Sequence, residues 1–316
     1  MSAIVAQSEC PQDLCIADHE TDSNMSLASP QNNEITLTKE KELFRNYEDS
    51  SRQDLVMEHY RCMRIGQSLS FVHKLLRKYS FDQPRCHLTI REALEVLERF
   101  IDRSDPDLDL PNLVHVLQTA EGIRRAGLPD WMQLVGLLHD MGKIMFLWGT
   151  AEDGQEGHAT GQQWSLGGDT CVVGCRLPDS AVFPQFNELN ADMSDPALNT
   201  EYGIYTPHCG LDNLYFAYGH DEYMYRMLIA NKCSIPKEGM AMIRLHSCYP
   251  LHSHGEYKHL LSTDGEDERM LGWIRDFNKF DLYTKTNQIV PIVDEVWSYY
   301  QTIIEKYGLG PGKLMW

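Results

Sequence analysis

No run in this 316-residue sequence is apolar for long enough to span a bilayer, and no basic arm or polybasic cluster interrupts it. With 28 Lys and Arg against 46 Asp and Glu, the formal net charge is -18. A surface this acidic argues against general binding of nucleic acid and against docking on an anionic membrane. Paired cysteines are also scarce. Nine are present at scattered positions, and Cys171 and Cys175 have no second pair to complete a zinc site. The first residues carry neither a basic n-region nor an apolar h-region, so no secretory signal is expected. Together these absences predict a reducing, cytoplasmic setting with reduced thiols. No internal repeat and no long hydrophobic interface helix is seen, so the expectation is a monomer with no protein partner.

What is present suits a globular chain with a sizeable core: 42% hydrophobic and 23% charged residues. Residues 1–37 are polar and poor in large apolar side chains, and they read as a disordered tail dispensable for chemistry. Residues 38–316 read as one domain. Leu55, Met57, Tyr60, Met63, Leu69, Val72 and Leu76 recur at mostly helical spacing, as one long helix or a broken pair. Thr89 and Glu92 form a capping-box pattern opening another helix. Pro111 and Gly127 bracket the next, and Pro129 and Asp130 start a further helix that is expected to fade at Gly142. Residues 149–210 are loop-rich, with short strands expected near 170–173. Helical patterning returns over 211–228, 239–248, 267–280 and 289–306. The fold class is mainly α, with a few short strands in loop-rich regions.

The chemistry centres on Leu134-Val135-Gly136-Leu137-Leu138-His139-Asp140-Met141-Gly142-Lys143, which sets a histidine and an aspartate in an apolar run. Burying an ionised carboxylate without a partner is costly. A metal ion removes that cost by taking the imidazole and the carboxylate as ligands; a buried ion pair or a capped helix end removes it too. The helix through Leu113, Val116, Leu117, Ala120 and Ile123 carries His115 on another side, beside Gln118, Thr119 and Gly122. That side reads either as a solvated flank or as a cavity wall that Gly122 lets a neighbour approach. His220, His246 and Asp281 sit in further helical stretches, where each is either a satisfied core residue or a ligand.

In this order, His115, His139, Asp140, His220, His246 and Asp281 resemble the ligands of the HD-domain superfamily, whose helices hold one or two metal ions. The resemblance implies a single HD-domain-like helical bundle, with Asp140 able to bridge two metals. Four imidazoles, two carboxylates and no thiolate suit iron or manganese better than structural zinc.

Longer strings narrow the resemblance. Pro111-Asn112, Gln118-Thr119-Ala120-Glu121-Gly122-Ile123-Arg124, Pro207-His208-Cys209-Gly210-Leu211, Gly219-His220-Asp221-Glu222-Tyr223, Met242-Ile243-Arg244-Leu245-His246-Ser247 and Phe277-Asn278-Lys279-Phe280-Asp281-Leu282-Tyr283-Thr284-Lys285 are similar to the myo-inositol oxygenase family. The likeness starts at Phe44-Arg45-Asn46-Tyr47; the tail resembles that of a plant member. It implies a ring-opening, four-electron oxidation of myo-inositol by O2 to D-glucuronate and water, at two iron ions in a mixed Fe(II)/Fe(III) state. It also implies a catalytic role for Lys143 at the substrate hydroxyl. Arg45, Asp102, Arg103, Ser104, Gly168, Asp169, Ser247 and Lys285, with Lys143 and His246, would contact the polyol.

Two rivals stand beside this. A metal-dependent phosphohydrolase of the same superfamily would use the same ligand order with a metal-activated water, but would want more cations for its phosphate. A non-catalytic binding module would be marked by a lost ligand, and all six positions are filled.

Overall fold

The computed structural model describes residues 44–107, 110–285 and 294–316. The polar tail at 1–37 and the beginning of the helix expected from 289 lie outside the described residues. The fold is mainly α: ten α-helices and one two-stranded sheet among the described residues. The first apolar stretch is a broken pair, α1 (Gln53–Gly66) and α2 (Leu69–Lys78). The break falls where the Trp164 ring presses on Gly66 so closely that a methyl group there would lie 2.0 Å from it. Ser68 then caps α2 by accepting from the Phe71 amide. The Thr89 capping box is complete and opens α3 (Ile90–Leu97).

The centre of the molecule is α4 (Asn112–Arg125) packed on α5 (Asp130–Leu138). Gly127 follows α4 in the left-handed region (φ 69°) and stops it. Leu134, Val135, Leu137 and Leu138 are fully enclosed, so α5 is a central rod rather than an amphipathic surface helix. Around this pair lie α6 (His220–Ala230), α7 (Lys237–Leu245), the single-turn α8 (Tyr249–His252), α9 (Glu266–Tyr283) and α10 (Asp294–Lys306). A contiguous apolar core runs from Val72 to Trp316.

Three sequence expectations change. The α5 helix ends at Leu138 rather than Gly142, and Met141–Leu147 continues as a 3₁₀-helix. Over 211–228 only a short 3₁₀ turn (Leu211–Asn213) precedes α6, because Phe216 is extended against Val172 and Gly219 is extended as well. The expected strand at 170–173 amounts to that isolated bridge. Val173 and Ala217 each give one amide bond across it, and the chain then turns at Gly174 (φ 82°). The sheet forms elsewhere: β1 (His87–Leu88) pairs antiparallel with β2 (Leu314–Met315).

Candidate metal centre and substrate cavity

Each of the six expected ligands arrives at or near a helix end. His139 caps the C-terminus of α5 and Asp140 follows it. His246 caps the C-terminus of α7, and Asp281 lies in the last turn of α9. His115 is in the first turn of α4, and His220 is the first residue of α6. Three helix C-termini point partial negative charge at this spot and two N-termini partial positive charge, so the helix dipoles largely offset and the side chains set the field.

The side chains form two groups that share Asp140. Its Oδ2 lies 3.6 Å from His115 Nε2 and 3.7 Å from His139 Nε2, while its Oδ1 lies 3.0 Å from His220 Nε2 and 3.7 Å from His246 Nε2. Asp281 Oδ1 joins the first group, 2.9 Å from His115 Nε2 and 3.3 Å from His139 Nε2.

The tautomers show what this arrangement needs. His139 Nδ1 donates to the Gly136 carbonyl (2.9 Å), His246 Nδ1 to the Ile243 carbonyl (3.0 Å), and His220 Nδ1 to the Leu166 carbonyl. A carbonyl only accepts, so in each neutral ring the proton sits on Nδ1 and Nε2 carries a bare lone pair. Yet His220 Nε2 and His246 Nε2 face each other at 3.0 Å. Two lone pairs at that separation call for a positive charge between or beside them, which a metal ion would provide, as would a proton in its place. His115 differs, because its buried Nδ1 has no partner. The donor set of imidazoles and carboxylates without thiolate fits iron or manganese. These residues are therefore able to bind metal.

Electrostatics hold Asp140, Asp281 and His139 in states that suit ligands, while contact with Asp140 raises the pKa of His246 against its burial. Burial works to raise the pKa of Asp140, but foremost the Lys143 ammonium holds it well below the usual carboxylate range. Asp281 is likewise depressed against its burial, foremost by the hydrogen bond from His115 Nε2. Burial lowers the pKa of His139, keeping it neutral and able to ligate.

Beside the ligands a cavity encloses about 810 Å³, part of it open to solvent. Among the described residues its cations are all paired. Arg45 grips Asp169 with both terminal nitrogens (3.0 and 2.6 Å). Lys285 Nζ lies 2.8 Å from Asp105 Oδ2. Lys143 Nζ lies 2.7 Å from both Asp102 Oδ2 and Asp140 Oδ2. Burial opposes the charge on Lys143, but Asp102 first and then Asp140 raise its pKa, so it remains an ammonium. Ser104 donates to Asp102 (2.6 Å). Ser247 Oγ lies 3.5 Å from His220 Nε2. Gly168, in the left-handed region (φ 92°), lets the chain pass Met63 and His59 to present Asp169.

Of the expected polyol contacts, Arg45, Asp102, Ser104, Lys143, Gly168, Asp169, His246, Ser247 and Lys285 line this cavity, and Arg103 does not. Its amide donates to Gln163 Oε1 and its guanidinium to the Gly161 carbonyl, so it ties down the neighbouring loop. Sequence reasoning missed Tyr60, Asn112 and Tyr249. Tyr60 donates to Asp169 (3.2 Å), and the Tyr249 ring carries the Arg45 guanidinium 3.4 Å above its centroid. Asn112 lies inside a quoted family string, but Tyr60 reads as core in any helical pattern.

Residues 53–316 match the family model described as Myo-inositol oxygenase. The chain is 45% identical over 280 residues to a Danio rerio protein named "Inositol oxygenase", covering 88% of this chain and 95% of that one. A Mus musculus protein of the same name is 46% identical over 284 residues, 89% of this chain and 93% of its own. A protein of Oryza sativa subsp. japonica named "Probable inositol oxygenase" is 43% identical over 276 residues, 86% and 85% of the two chains. With the match spanning almost every element described above, the chain belongs to the myo-inositol oxygenase family.

Proposed function

We propose that this protein is an inositol oxygenase: it opens the ring of myo-inositol with O2 in a four-electron oxidation, giving D-glucuronate and water. The observation that carries the reading is a cavity with no spare cation among the described residues, opening on two metal-binding groups that share Asp140. Phosphate monoesters need uncompensated positive charge. Here Arg45, Lys143 and Lys285 each face a carboxylate already. Paired charges suit a neutral polyol instead, because each pair offers a donor and an acceptor to neighbouring hydroxyls. This favours the oxygenase over a phosphohydrolase built on the same ligands.

In this reading the two groups hold two iron ions, in a mixed Fe(II)/Fe(III) state. His115, His139, Asp140 and Asp281 would hold one, and Asp140, His220 and His246 the other. Iron supplies electrons for O2 and Lewis acidity toward a substrate oxygen. The chain supplies placement and charge. Asp169, Ser104 and Ser247 orient hydroxyls, and Lys143 steadies the negative charge that grows as one hydroxyl gives up its proton. The scattered, odd-numbered cysteines support a cytosolic setting, and the sequence's lack of a long hydrophobic interface helix supports a monomer.

The test is anaerobic purification, iron counting, and a glucuronate assay with myo-inositol and O2. About two irons per chain and O2-dependent glucuronate are expected. A colourless Mg- or Mn-loaded protein that hydrolyses inositol phosphates without O2 would overturn the reading.

A further inference from the structure

Lys143 has three N–H bonds to give, and three acceptors surround it. Two are the carboxylates of Asp102 and Asp140. The third is Asn112 Oδ1, at 3.3 Å. Asn112 is buried (3% exposed), and its Nδ2 donates to the Asp140 main-chain carbonyl at 3.4 Å. It is also the first residue of α4, three positions before His115. One neutral side chain therefore grips both ends of the turn from Asp140 to Lys143 and anchors that turn to the helix bearing another ligand.

We propose that Asn112 is a positioning residue for Lys143: it holds the ammonium aimed at the reacting hydroxyl without itself touching metal or substrate. The inference rests on the role given to Lys143 above. The two carboxylates alone would not fix the aim. With a metal held by Asp140, the carboxylate would share its charge with the cation and its hold on Lys143 would weaken, leaving Asp102 as the strong acceptor. A lysine on a flexible four-carbon stem then turns about that bond. Asn112 supplies a second fixed point from a rigid helix. Of its two contacts, the one to the ammonium matters more, because a hydrogen bond from a charged donor is roughly twice as strong as a neutral one. The residue is an amide rather than an acid because a further carboxylate beside Asp102 and Asp140 would add like charge.

The test is a double-mutant cycle on the iron-loaded full chain, with Asn112→Ala, Lys143→Ala and the pair together. Metal content, melting temperature, kcat and KM are measured on each, and myo-inositol binding by anaerobic calorimetry. Asn112→Ala is expected to lower kcat about tenfold, at the lower end for losing an outer partner. Iron content and the calorimetric Kd should stay within about twofold. In the Lys143→Ala background the same change should cost less than twofold more. An equal loss in both backgrounds, or a loss that follows iron content, would overturn the inference. Unchanged turnover in Lys143→Ala would overturn the role of Lys143 itself, a different failure that shows in that single variant.

Discussion

Gly142 packs against the main chain of His220, so closely that a methyl group at Gly142 would lie 1.9 Å from the His220 carbonyl oxygen. Two segments far apart in sequence, each delivering a ligand, touch at this point with only a hydrogen between them. Gly142 is thus not the helix breaker it resembles in sequence, since α5 has already ended at Leu138. Gly142→Ala is expected to force the segments apart. Overpacking against main chain, which cannot swing away, should cost about 3 kcal/mol. Chemical denaturation and metal counting will check this; full iron content with unchanged stability would contradict it.

Asp140 serves both ligand groups, so Asp140→Ala should abolish metal binding in both. His246→Ala removes one ligand from one group and should leave the other loaded. Elemental analysis separates the two outcomes. Stripping iron from the parent with a chelator should also lower its melting temperature, because metal binds only the folded chain.

Lys143→Ala should lower turnover by about 10²-fold or more, the scale of losing one electrostatic stabiliser. Iron content should hold, because the ammonium is not a ligand. Rates and iron measured on a single preparation decide this.

Arg45 and Arg103 divide here. Arg45→Ala leaves Asp169 buried without its bidentate partner and should raise KM about tenfold or more. Arg103→Ala should leave KM within about twofold, since its guanidinium holds the Gly161 carbonyl outside the cavity. Steady-state kinetics on both variants tests the placement.

Asp153 offers a pH test away from the metal centre. It is fully buried and accepts from Lys78, Tyr79 and Thr150. Burial pushes its pKa up, but these bonds, Lys78 foremost, bring it below the usual carboxylate value. The unfolded chain therefore takes up this proton first as pH falls. The stabilisation is complete above ~3.9, the ordinary Asp pKa, and is lost as pH drops through the lower folded value. Melting temperatures of the parent and Asp153→Asn should differ most near neutrality and converge in acid. A gap that widens in acid would show the sign to be wrong.

Much of this was legible from local pattern. Thr89 and Glu92 cap a helix within four residues, and α4 ends before Gly127 as a left-handed stop requires. The order of histidines and aspartates picked out side chains that converge in the structure, because each lies in a recognisable string. What stayed hidden depends on distance along the chain. The pairing of Leu88 with Leu314 is two residues long and leaves no periodic trace. Arg103 sits between two cavity residues, Asp102 and Ser104, yet its side chain leaves on the other side of the bend. Neighbours in sequence share a location, not a direction. Tyr60 and Tyr249 look like core aromatics until Arg45 and Asp169 are seen against them.

The bond from His115 to Asp281 closes a loop of 166 positions. Within it lie α5, α6 and α7, each fastened to the same few ångströms by its own ligand. A metal bound there acts as a staple across most of the chain, with no covalent bond made. Closing long loops is entropically costly for an unfolded chain, and the cost rises only slowly with length. The centre should therefore be among the last contacts to form and should hold the helices together once formed. A cell short of iron would then accumulate more than an idle enzyme. It would hold chains whose helices are packed but not fastened, more open to proteases along the loop-rich stretch between the 3₁₀-helix and α6, so abundance as well as activity would follow the iron supply.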